Sequence, residues 1–244
     1  MSTFFLPGGY CPLRRPIAFW PLNKDSKLTD VSGYGHDASG SDVTLAQGPN
    51  KMADSAYEFY GRESSFLTIT PTPVLEVGFN GSFTYCAYIY STKETGAIMD
   101  WNLHSGYGLY FWLWRPNNML TVYVPDRSTA TVIIKSLPFT LNSWHFVAAS
   151  YSYEDGTLIA MVDDVNETWS VPKVHAKSNS PFVYIGRRVF NDAKSWSPFL
   201  GKMSSVMLFN QALTLDDLKI VKSYSLDTQR IRKMIAGSVE CKLP

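Results

Sequence analysis

The sequence predicts an all-β fold in which two antiparallel sheets pack face to face as one sandwich. Short apolar segments recur along the chain with turn residues between them, and no long helices alternate with them. The 14 Phe, 14 Tyr and 7 Trp residues favour strands. Apolar residues make up 45% of the 244, which is enough to fill the core of a single sandwich domain.

The most clearly specified element is a hairpin over residues 144–164. Two runs rich in aromatic and β-branched residues flank the pair Asp155 and Gly156, and Asp-Gly tolerates the left-handed backbone of a tight antiparallel turn. Both runs carry apolar residues at odd and even positions. We therefore expect both faces of this hairpin to be covered, and the hairpin to lie centrally in its sheet.

The other strands are predicted from similar apolar runs. Residues 57–61 and 65–70 are predicted to pair around Gly61, and Pro71 then ends the second of them. Residues 23–43 are predicted to form a long polar loop. Further strands are predicted at residues 17–20, 82–90, 97–101, 109–115, 120–124, 131–134, 182–186 and 201–209.

One short helix is predicted, over residues 215–223. Thr214 can act as its N-cap and Asp217 occupies the third helical position, where it completes a capping box. Leu213 can pack on Leu218 as a hydrophobic staple.

The chain is predicted to contain one domain, residues 16–223, between an N-terminal extension (1–15) and a C-terminal tail (224–244) that packs back on the domain. The tail interleaves basic and apolar residues. This pattern indicates either a solvated face beside a packed stripe or a patch for polyanions.

Three cysteines and two glycosylation sequons bear on the cellular compartment. Cys11 and Cys241 lie near opposite ends of the chain, and because the termini of a sandwich often finish side by side, we predict a disulfide between them. The alternative is three unrelated reduced cysteines. Cys86 lies inside a predicted strand and is expected to be a buried free thiol. Asn80 and Asn166 begin sequons that are compatible with secretion.

Charge and hydropathy exclude several classes of partner. A net charge of +1 gives no general attraction to nucleic acid or to an anionic membrane, and no apolar run is long enough to cross a bilayer. No signal peptide is visible at the start of the sequence. The protein is therefore either intracellular or given without a leader that has been removed.

Seven short motifs follow one another along about residues 16–223. They are Ala18-Phe19-Trp20-Pro21-Leu22, Asp30-Val31-Ser32-Gly33-Tyr34-Gly35-His36, Tyr57-Glu58-Phe59-Tyr60-Gly61, Ser82-Phe83-Thr84, Ser143-Trp144-His145-Phe146-Val147, Gly186 with Gly201-Lys202, and Leu208-Phe209-Asn210-Gln211-Ala212-Leu213-Thr214. In kind and order they resemble the motifs of concanavalin A-like and laminin G-like jelly-roll domains. The resemblance implies a jelly roll of two antiparallel sheets, a calcium or glycan site in many members, and an extracellular location in most animal ones.

The resemblance is strongest to the pentraxin-like subgroup, but the pentraxin calcium ligands are missing. Pentraxins have a partner for the strand cysteine after the Trp-His segment, where this chain has Ala148, so Cys86 lacks that partner. The carboxylates that would bind paired calcium ions are replaced by residues 104–106 (His-Ser-Gly) and 187–189 (Arg-Arg-Val). Two arginines in place of carboxylates would repel the ions.

Asp30 is a candidate ligand for a different calcium site, because its carboxylate lies in an Asp-x-Ser-Gly-x-Gly loop beside backbone carbonyls. The alternative is a structural turn in which Asp30 accepts hydrogen bonds from its own backbone and the glycines take positive φ.

The sequence gives no support for catalysis, and we predict that the protein is not an enzyme. It has no Glu-x-Asp-x-x-Glu run of the kind that glycosidases of this superfold use, no phosphate-binding loop and no nucleophile elbow. His145 follows Trp144 on a core strand and is predicted to have a structural role. The four histidines show no metal-ligand spacing: His36, His104, His145 and His175.

A candidate binding surface lies in residues 109–115. Alternation places Tyr110, Trp112 and Trp114 on one face, flanked by Arg115 and Asn117, and the other side chains of the strand toward the core. Aromatic rings stack on the apolar faces of sugars, while Asn and Arg can satisfy hydroxyl or acidic groups. We expect at least one tryptophan to be exposed, with Trp112 the least shielded. The alternative is that a loop or the tail covers this face.

These observations predict a secreted or cell-surface recognition module that binds a glycan or glycoprotein. The alternative is an adhesion or assembly domain that binds protein. The sequence leaves open whether the protein binds calcium and whether it forms a homo-oligomer.

Overall fold

A computed structural model describes residues 15–78, 81–101, 108–114, 118–190 and 194–227, which form strands, one short 3₁₀ turn and one α-helix. The strands are β1 (Ala18–Trp20), β2 (Ala38–Ser41), β3 (Val43–Ala46), β4 (Ala56–Tyr60), β5 (Phe66–Ile69), β6 (Phe83–Ser91), β7 (Gly96–Asp100), β8 (Tyr110–Trp114), β9 (Met119–Pro125), β10 (Val132–Pro138), β11 (Trp144–Ser152), β12 (Thr157–Val162), β13 (Val165–Ser170), β14 (Val183–Ile185), β15 (Arg188–Phe190), β16 (Lys194–Trp196) and β17 (Leu200–Phe209). The helix, α1, spans Leu215–Tyr224.

Two antiparallel sheets make up the fold, as predicted. Within the described residues, the first sheet has eight strands in the order β13-β12-β11-β6-β17-β4-β3, with β1 also paired to β17. The second has seven strands in the order β10-β9-β8-β7-β14-β5-β2. A small hairpin, β15-β16, does not pair with a strand of either sheet among the described residues. The non-sequential strand order and antiparallel pairing are those of a jelly-roll sandwich.

The predicted hairpin forms β11 and β12, and it lies inside the eight-stranded sheet between β6 and β13. Gly156 adopts a φ of 62°, the left-handed conformation that the turn requires. Val147 and Ala149 point into the space between the sheets, whereas Phe146 and Ala148 point to the outer side and belong to a second apolar cluster. The expectation that both faces are covered is therefore confirmed.

Aromatic rings from the two sheets meet in the main core. Tyr85 of β6 stacks on Phe111 of β8 with ring centroids 4.3 Å apart, so the two central strands are in direct contact across the sandwich. Phe83 and Trp101 pack edge-on against Phe111, with interplanar angles of 68° and 73°. The buried indole of Trp101 donates its N–H to the backbone oxygen of Leu75, which satisfies its polar atom.

The second apolar cluster lies on the outer side of the eight-stranded sheet, beneath α1. Leu218 and Val221 of the helix are buried there with Cys86, which is a free thiol as predicted. Burial raises the pKa of Cys86 far above its usual range, so the thiol stays protonated and unreactive. Thr214 and Asp217 form the predicted capping box at the start of the helix.

Two predictions about strands were wrong. β4 and β5 do not pair with each other: Tyr60 of β4 lies opposite Leu200 of β17, whereas Ile69 of β5 lies opposite Val183 of β14, in the other sheet. The apolar alternation predicts a strand but not its partner, and the turn after Gly61 moves the chain from one sheet to the other.

The second error concerns residues 23–43, which were predicted to form a loop. They contain the strand β2, and β3 follows it directly. β2 is Ala-Ser-Gly-Ser and β3 has no buried residue, because both lie at the edges of their sheets. Edge strands need little apolar surface, so the hydrophobic pattern does not detect them.

The predicted terminal segments, 1–15 and 224–244, lie almost wholly outside the described residues. The disulfide between Cys11 and Cys241 lies there too and stays a prediction. No helix among the described residues is long and apolar enough to cross a membrane.

Candidate functional site

The outer side of the seven-stranded sheet carries the aromatic residues that the sequence singles out. The ring centroids of Tyr110 and Trp112 are 5.5 Å apart and those of Trp112 and Trp114 are 5.2 Å apart, so the three rings form a continuous stripe. Phe111, between the first two in sequence, points the other way and stacks on Tyr85 in the core. The predicted alternation is therefore confirmed.

Two of the three rings are covered. Gly186, with a φ of 85°, turns the chain after β14, and Arg188 then lies over the stripe with its Cζ 4.4 Å from the Tyr110 ring and 4.7 Å from the Trp112 ring. Such distances are those of cation–π contacts. Tyr110 is left 7% exposed, and burial raises its pKa to about 12, although the charge of Arg188 acts in the opposite direction.

Trp112 is 6% exposed, so the expectation that it is the least shielded ring is wrong. The indole N–H donates to the Thr95 hydroxyl at 3.1 Å, and Arg188 caps the ring. A position central in a strand favours exposure only when nothing packs on that side of the sheet. Here the segment after β14 does so, which is the alternative that the sequence left open.

Trp114, at the end of β8, is 50% exposed, and it is the member of the stripe that solvent reaches. Its ring packs edge-on against Trp112, which fixes its orientation. The predicted flanking residues Arg115 and Asn117 lie outside the described residues, and their part in a site stays a prediction.

The same side of the sheet carries a second aromatic group that the sequence analysis missed. Phe182 is 41% exposed, its ring lies 6.1 Å from that of Tyr184, and Phe66 of β5 lies 6.1 Å from Tyr184 on the other side. Arg187 lies over this group, with its Cζ 3.7 Å from the Phe66 ring and 4.6 Å from the Tyr184 ring. The sequence does contain a signal for this group. Phe182 and Tyr184 alternate with Val183, which places both rings on one face of a strand, and Gly-Arg follows soon after.

The two groups flank the same central part of the sheet. Tyr184 of β14 and Tyr110 of β8 both lie opposite Asp100 of β7. The single strand β7 therefore separates the two aromatic groups. We refer to all these residues together as the outer aromatic face: Phe66, Tyr110, Trp112, Trp114, Phe182, Tyr184, Arg187 and Arg188.

The Asp30 loop is organised around its carboxylate. Oδ1 accepts the backbone N–H groups of Phe19 and Ser32, both at 2.9 Å, and Oδ2 accepts the Ser32 hydroxyl at 2.8 Å and the N–H of His36 at 3.0 Å. Gly33 and Gly35 take positive φ. This is the structural turn that the sequence offered as the alternative to a calcium site. Across the described residues, no three His, Cys, Asp or Glu side chains converge on a position that could hold a metal.

His145 forms part of a clamp between β11 and the turn after β12. Its Nδ1 lies 2.6 Å from Asp163 Oδ2, and its Nε2 lies 2.7 Å from the Ser143 hydroxyl and 2.8 Å from that of Thr140. Asp163 also accepts the N–H of Phe146 and donates its own N–H to the Phe146 carbonyl. The network ties two strands together, which gives His145 the structural role expected of it.

Ser143, His145 and Asp163 are hydrogen-bonded in the sequence of a nucleophile, a base and an acid that orients the base. Ser143 shares His145 Nε2 with Thr140, and the Phe139 ring packs edge-on against the imidazole with centroids 4.8 Å apart. A neutral imidazole has one acceptor nitrogen, so two hydroxyl groups compete for it.

A polar cleft of about 390 Å³ opens at the end of the sandwich where β6 begins and β17 ends. Its two carboxylates are already engaged, because Ser82 donates to Glu154 and Ser152 donates to Asp155, both at 2.7 Å. The hydrogen bond from Ser82 lowers the pKa of Glu154. None of the described residues that line the cleft has an aromatic side chain. The outer aromatic face is therefore the better surface for a sugar ring.

The two predicted glycosylation sites differ in what can be said of them. Asn166 lies on β13, an edge strand, and its partly exposed side chain donates to the Asp164 backbone oxygen at 3.2 Å. Asn80 lies outside the described residues.

Comparison with known proteins supports a lectin-like fold. A sequence profile of the concanavalin A-like lectin/glucanases superfamily matches residues 63–219. No curated protein matches the sequence.

Solved structures that resemble this chain include binding domains of botulinum neurotoxins and of Paraclostridial mosquitocidal protein 1. The binding domain of Paraclostridial mosquitocidal protein 1 superposes with a TM-score of 0.67 at 12% identity, covering 86% of this chain and 52% of that one. The botulinum neurotoxin serotype D domain in complex with N-acetylneuraminic acid gives 0.66 at 12% identity, covering 86% and 50%. Botulinum neurotoxin type C, whose cell entry depends on two ganglioside molecules, gives 0.65 at 16%, covering 86% and 51%. The chain thus spans about half the length of these domains, and the likeness is one of fold.

Proposed function

We propose that this chain, which belongs to the concanavalin A-like lectin/glucanases superfamily, is a non-catalytic recognition module that binds a glycan or glycoconjugate through its outer aromatic face. The fold it shares with a sialic acid-binding toxin domain supports a carbohydrate ligand. Fold alone does not fix function, so the proposal depends on the face itself.

The observation that carries the proposal is the half-exposed ring of Trp114, held at the end of a stripe of buried rings. An indole whose orientation is fixed by packing loses little conformational entropy when a ligand binds. Its exposed face can stack on the apolar face of a sugar. Trp114 therefore provides a rigid platform that a flexible surface side chain could not.

The proposal includes an extracellular location. The partly exposed side chain of Asn166 on an edge strand makes that sequon accessible to glycosylation, which supports secretion. The predicted disulfide between Cys11 and Cys241 would require an oxidising compartment.

The absence of catalysis is tested at Ser143, the hydroxyl that contacts His145. A fluorophosphonate probe labels serines that an adjacent base activates. We expect no labelling of the native protein above the level of a Ser143→Ala variant. Specific labelling of Ser143 would show an activated nucleophile and would overturn the non-catalytic part of the proposal.

A glycan array tests the central part of the proposal. The wild-type protein should bind a defined set of glycans, and Trp114→Ala should lose that binding. Trp169→Ala is the matched control, because Trp169 is a partly buried tryptophan on β13, in the other sheet. Chelator should leave binding unchanged if calcium takes no part. A wild-type array without any binder would contradict the proposal.

One observation favours a second function, binding to protein. β10 and β13 are the edge strands on one side of the two sheets, and Ile134 and Val165 on them are 57% and 58% exposed. Exposed apolar residues on edge strands are typical of surfaces that pair with another chain. Under this alternative Ile134→Asp would abolish self-association or partner binding, measured by light scattering after size exclusion, and the glycan array would be empty.

A further inference from the structure

We propose that Arg187 and the rings of Phe66, Tyr184 and Phe182 form a subsite for an acidic sugar, one that carries a carboxylate. The inference rests on the proposed function, since it names the class of glycan that the outer aromatic face takes. The subsite is distinct from the Trp114 platform, because it lies on β5, β14 and the turn that follows β14.

Among the described residues, no acidic side chain pairs with the guanidinium of Arg187, which two aromatic rings hold in place. Its Cζ lies 3.7 Å from the Phe66 ring and 4.6 Å from the Tyr184 ring, so two aromatic faces fix its plane. Its Nε is enclosed and has no hydrogen-bond acceptor, and no ion pair joins Arg187 to any described residue. The side chain as a whole is half-buried.

Other arginines of the chain do have partners. Arg62 also lies over an aromatic ring, that of Tyr60, but two of its nitrogens bind the carboxylate of Asp42. Arg15 donates twice to the Ser32 carbonyl. An arginine that is stacked and has no acceptor among the described residues can still bind a planar anion through its terminal nitrogens, even where its Nε is enclosed. Arg187 is therefore arranged as a receptor for an anion.

The surroundings of Arg187 select the rest of the ligand. The guanidinium lies over the rings of Phe66 and Tyr184, and the next ring along, that of Phe182, lies 6.1 Å from Tyr184 and is 41% exposed. A ligand that fits must carry an anionic group next to an apolar surface of about ring size. A sugar acid has both, because its carboxylate projects from a ring whose C–H face can stack on an aromatic side chain.

The same geometry disfavours other anions. The next residue along the chain, Arg188, is 4% exposed and lies beneath the surface, so it cannot add a second accessible charge. A polyanion such as nucleic acid gains its affinity from several phosphate contacts at once. The planar fork of one guanidinium matches the two oxygens of a carboxylate better than the tetrahedral oxygens of a sulfate.

Isothermal titration with defined oligosaccharides tests the inference. The probes are sialyllactose and a hyaluronan tetrasaccharide, which present a carboxylate on different sugars, with lactose as the neutral probe and 3-sulfolactose as the sulfated one. The wild-type protein should bind at least one carboxylate probe about tenfold or more tightly than lactose, because a charge-assisted bidentate contact is stronger than a neutral hydrogen bond. The carboxylate that binds identifies the source of the acidic sugar.

Two variants separate charge from geometry. Arg187→Met keeps an apolar stem over the rings and should reduce affinity for the carboxylate probe to that for lactose. Arg187→Lys keeps the charge without the fork and should lie between the two. Arg62→Met is the matched control, because it removes a stacked arginine that is already paired, and it should leave the affinity unchanged.

The outcomes distinguish this inference from the proposed function. If Arg187→Met binds the carboxylate probe as tightly as wild type, or if the sulfated probe binds more tightly than both carboxylate probes, the inference is overturned. Binding to neutral glycans that Trp114→Ala abolishes and Arg187→Met does not would leave the proposed function standing. If wild-type protein binds none of the probes and no glycan on an array, both fail.

Discussion

Trp112 and Trp114 belong to the same aromatic stripe but differ in exposure, which makes them a matched pair for mutation. Trp112 is 6% exposed, and an alanine in its place would leave a cavity beneath Arg188 and remove the partner of the Thr95 hydroxyl. Replacing a buried tryptophan in this way costs about 3–5 kcal/mol. In a domain of this size that corresponds to a fall in the thermal midpoint of about 8–15 °C.

Trp114 should behave differently, because half of its surface is already in water. Folding then removes only about half of the side chain from water. Trp114→Ala should therefore lower the free energy of unfolding by about 1–1.5 kcal/mol and the thermal midpoint by a few degrees. The same variant should lose glycan affinity. Trp112→Ala removes the ring that holds Trp114 in place, so at temperatures where it is folded it should weaken that affinity and not abolish it.

Urea denaturation followed by tryptophan fluorescence measures the first effect and titration with an array-identified glycan measures the second. Trp169→Ala on β13 controls for the loss of one fluorophore. A Trp112→Ala protein as stable as wild type would refute the reasoning, since it would mean that Arg188 does not cover the ring. A Trp114→Ala protein that is strongly destabilised would show that Trp114 is core and not platform.

Three further outcomes are expected. Burial opposes ionisation of Asp126, but hydrogen bonds from backbone N–H groups outweigh it and lower its pKa to about 2. The stability that the ionised carboxylate contributes is therefore present above about pH 4 and is lost as the pH falls toward 2. Urea titrations at several pH values should show this dependence in the wild-type protein and not in Asp126→Asn. Thermal midpoints in chelator and in millimolar calcium should agree, and Asp30→Asn should lower both equally; a calcium-dependent rise would reveal an ion site. Non-reducing peptide mapping should recover Cys11 linked to Cys241, with Cys86 alkylated only after unfolding; a Cys11 that reacts in the native protein would argue against the disulfide.

The parts of the fold that the sequence predicted well are those where local chemistry determines the structure. The turn at Gly156 needs a left-handed residue, the capping box of Thr214 and Asp217 needs a hydroxyl and a carboxylate three residues apart, and both formed as expected. Strand partners were not predictable in this way. β4 and β5 have the pattern of a hairpin, yet they pair with β17 and β14, residues far along the chain. Local alternation contains no information about such distant partners.

The candidate site was predictable in its orientation but not in its exposure. Alternation alone placed Tyr110, Trp112 and Trp114 on one side of β8. Whether a side chain on that side meets solvent depends on Arg188, 76 positions after Trp112, and on the turn at Gly186 that brings it back over the sheet. The significance of Arg187 was missed for the same reason. From the sequence, Arg187 was noted only because it stands where a calcium-binding carboxylate would be expected. Its contact with Phe66 forms only when the strands come together.

The central claim is that the outer aromatic face binds a glycan, and the indole N–H resonances of the protein test it most directly. The ¹H–¹⁵N spectrum of protein labelled at tryptophan should be recorded during titration with a glycan identified on the array, with Trp114→Ala and Trp169→Ala used for assignment. The account predicts a saturable shift of the Trp114 resonance and none of the Trp169 resonance, which reports on the opposite sheet. Saturable binding that leaves Trp114 unmoved, or that shifts Trp169 instead, would contradict it.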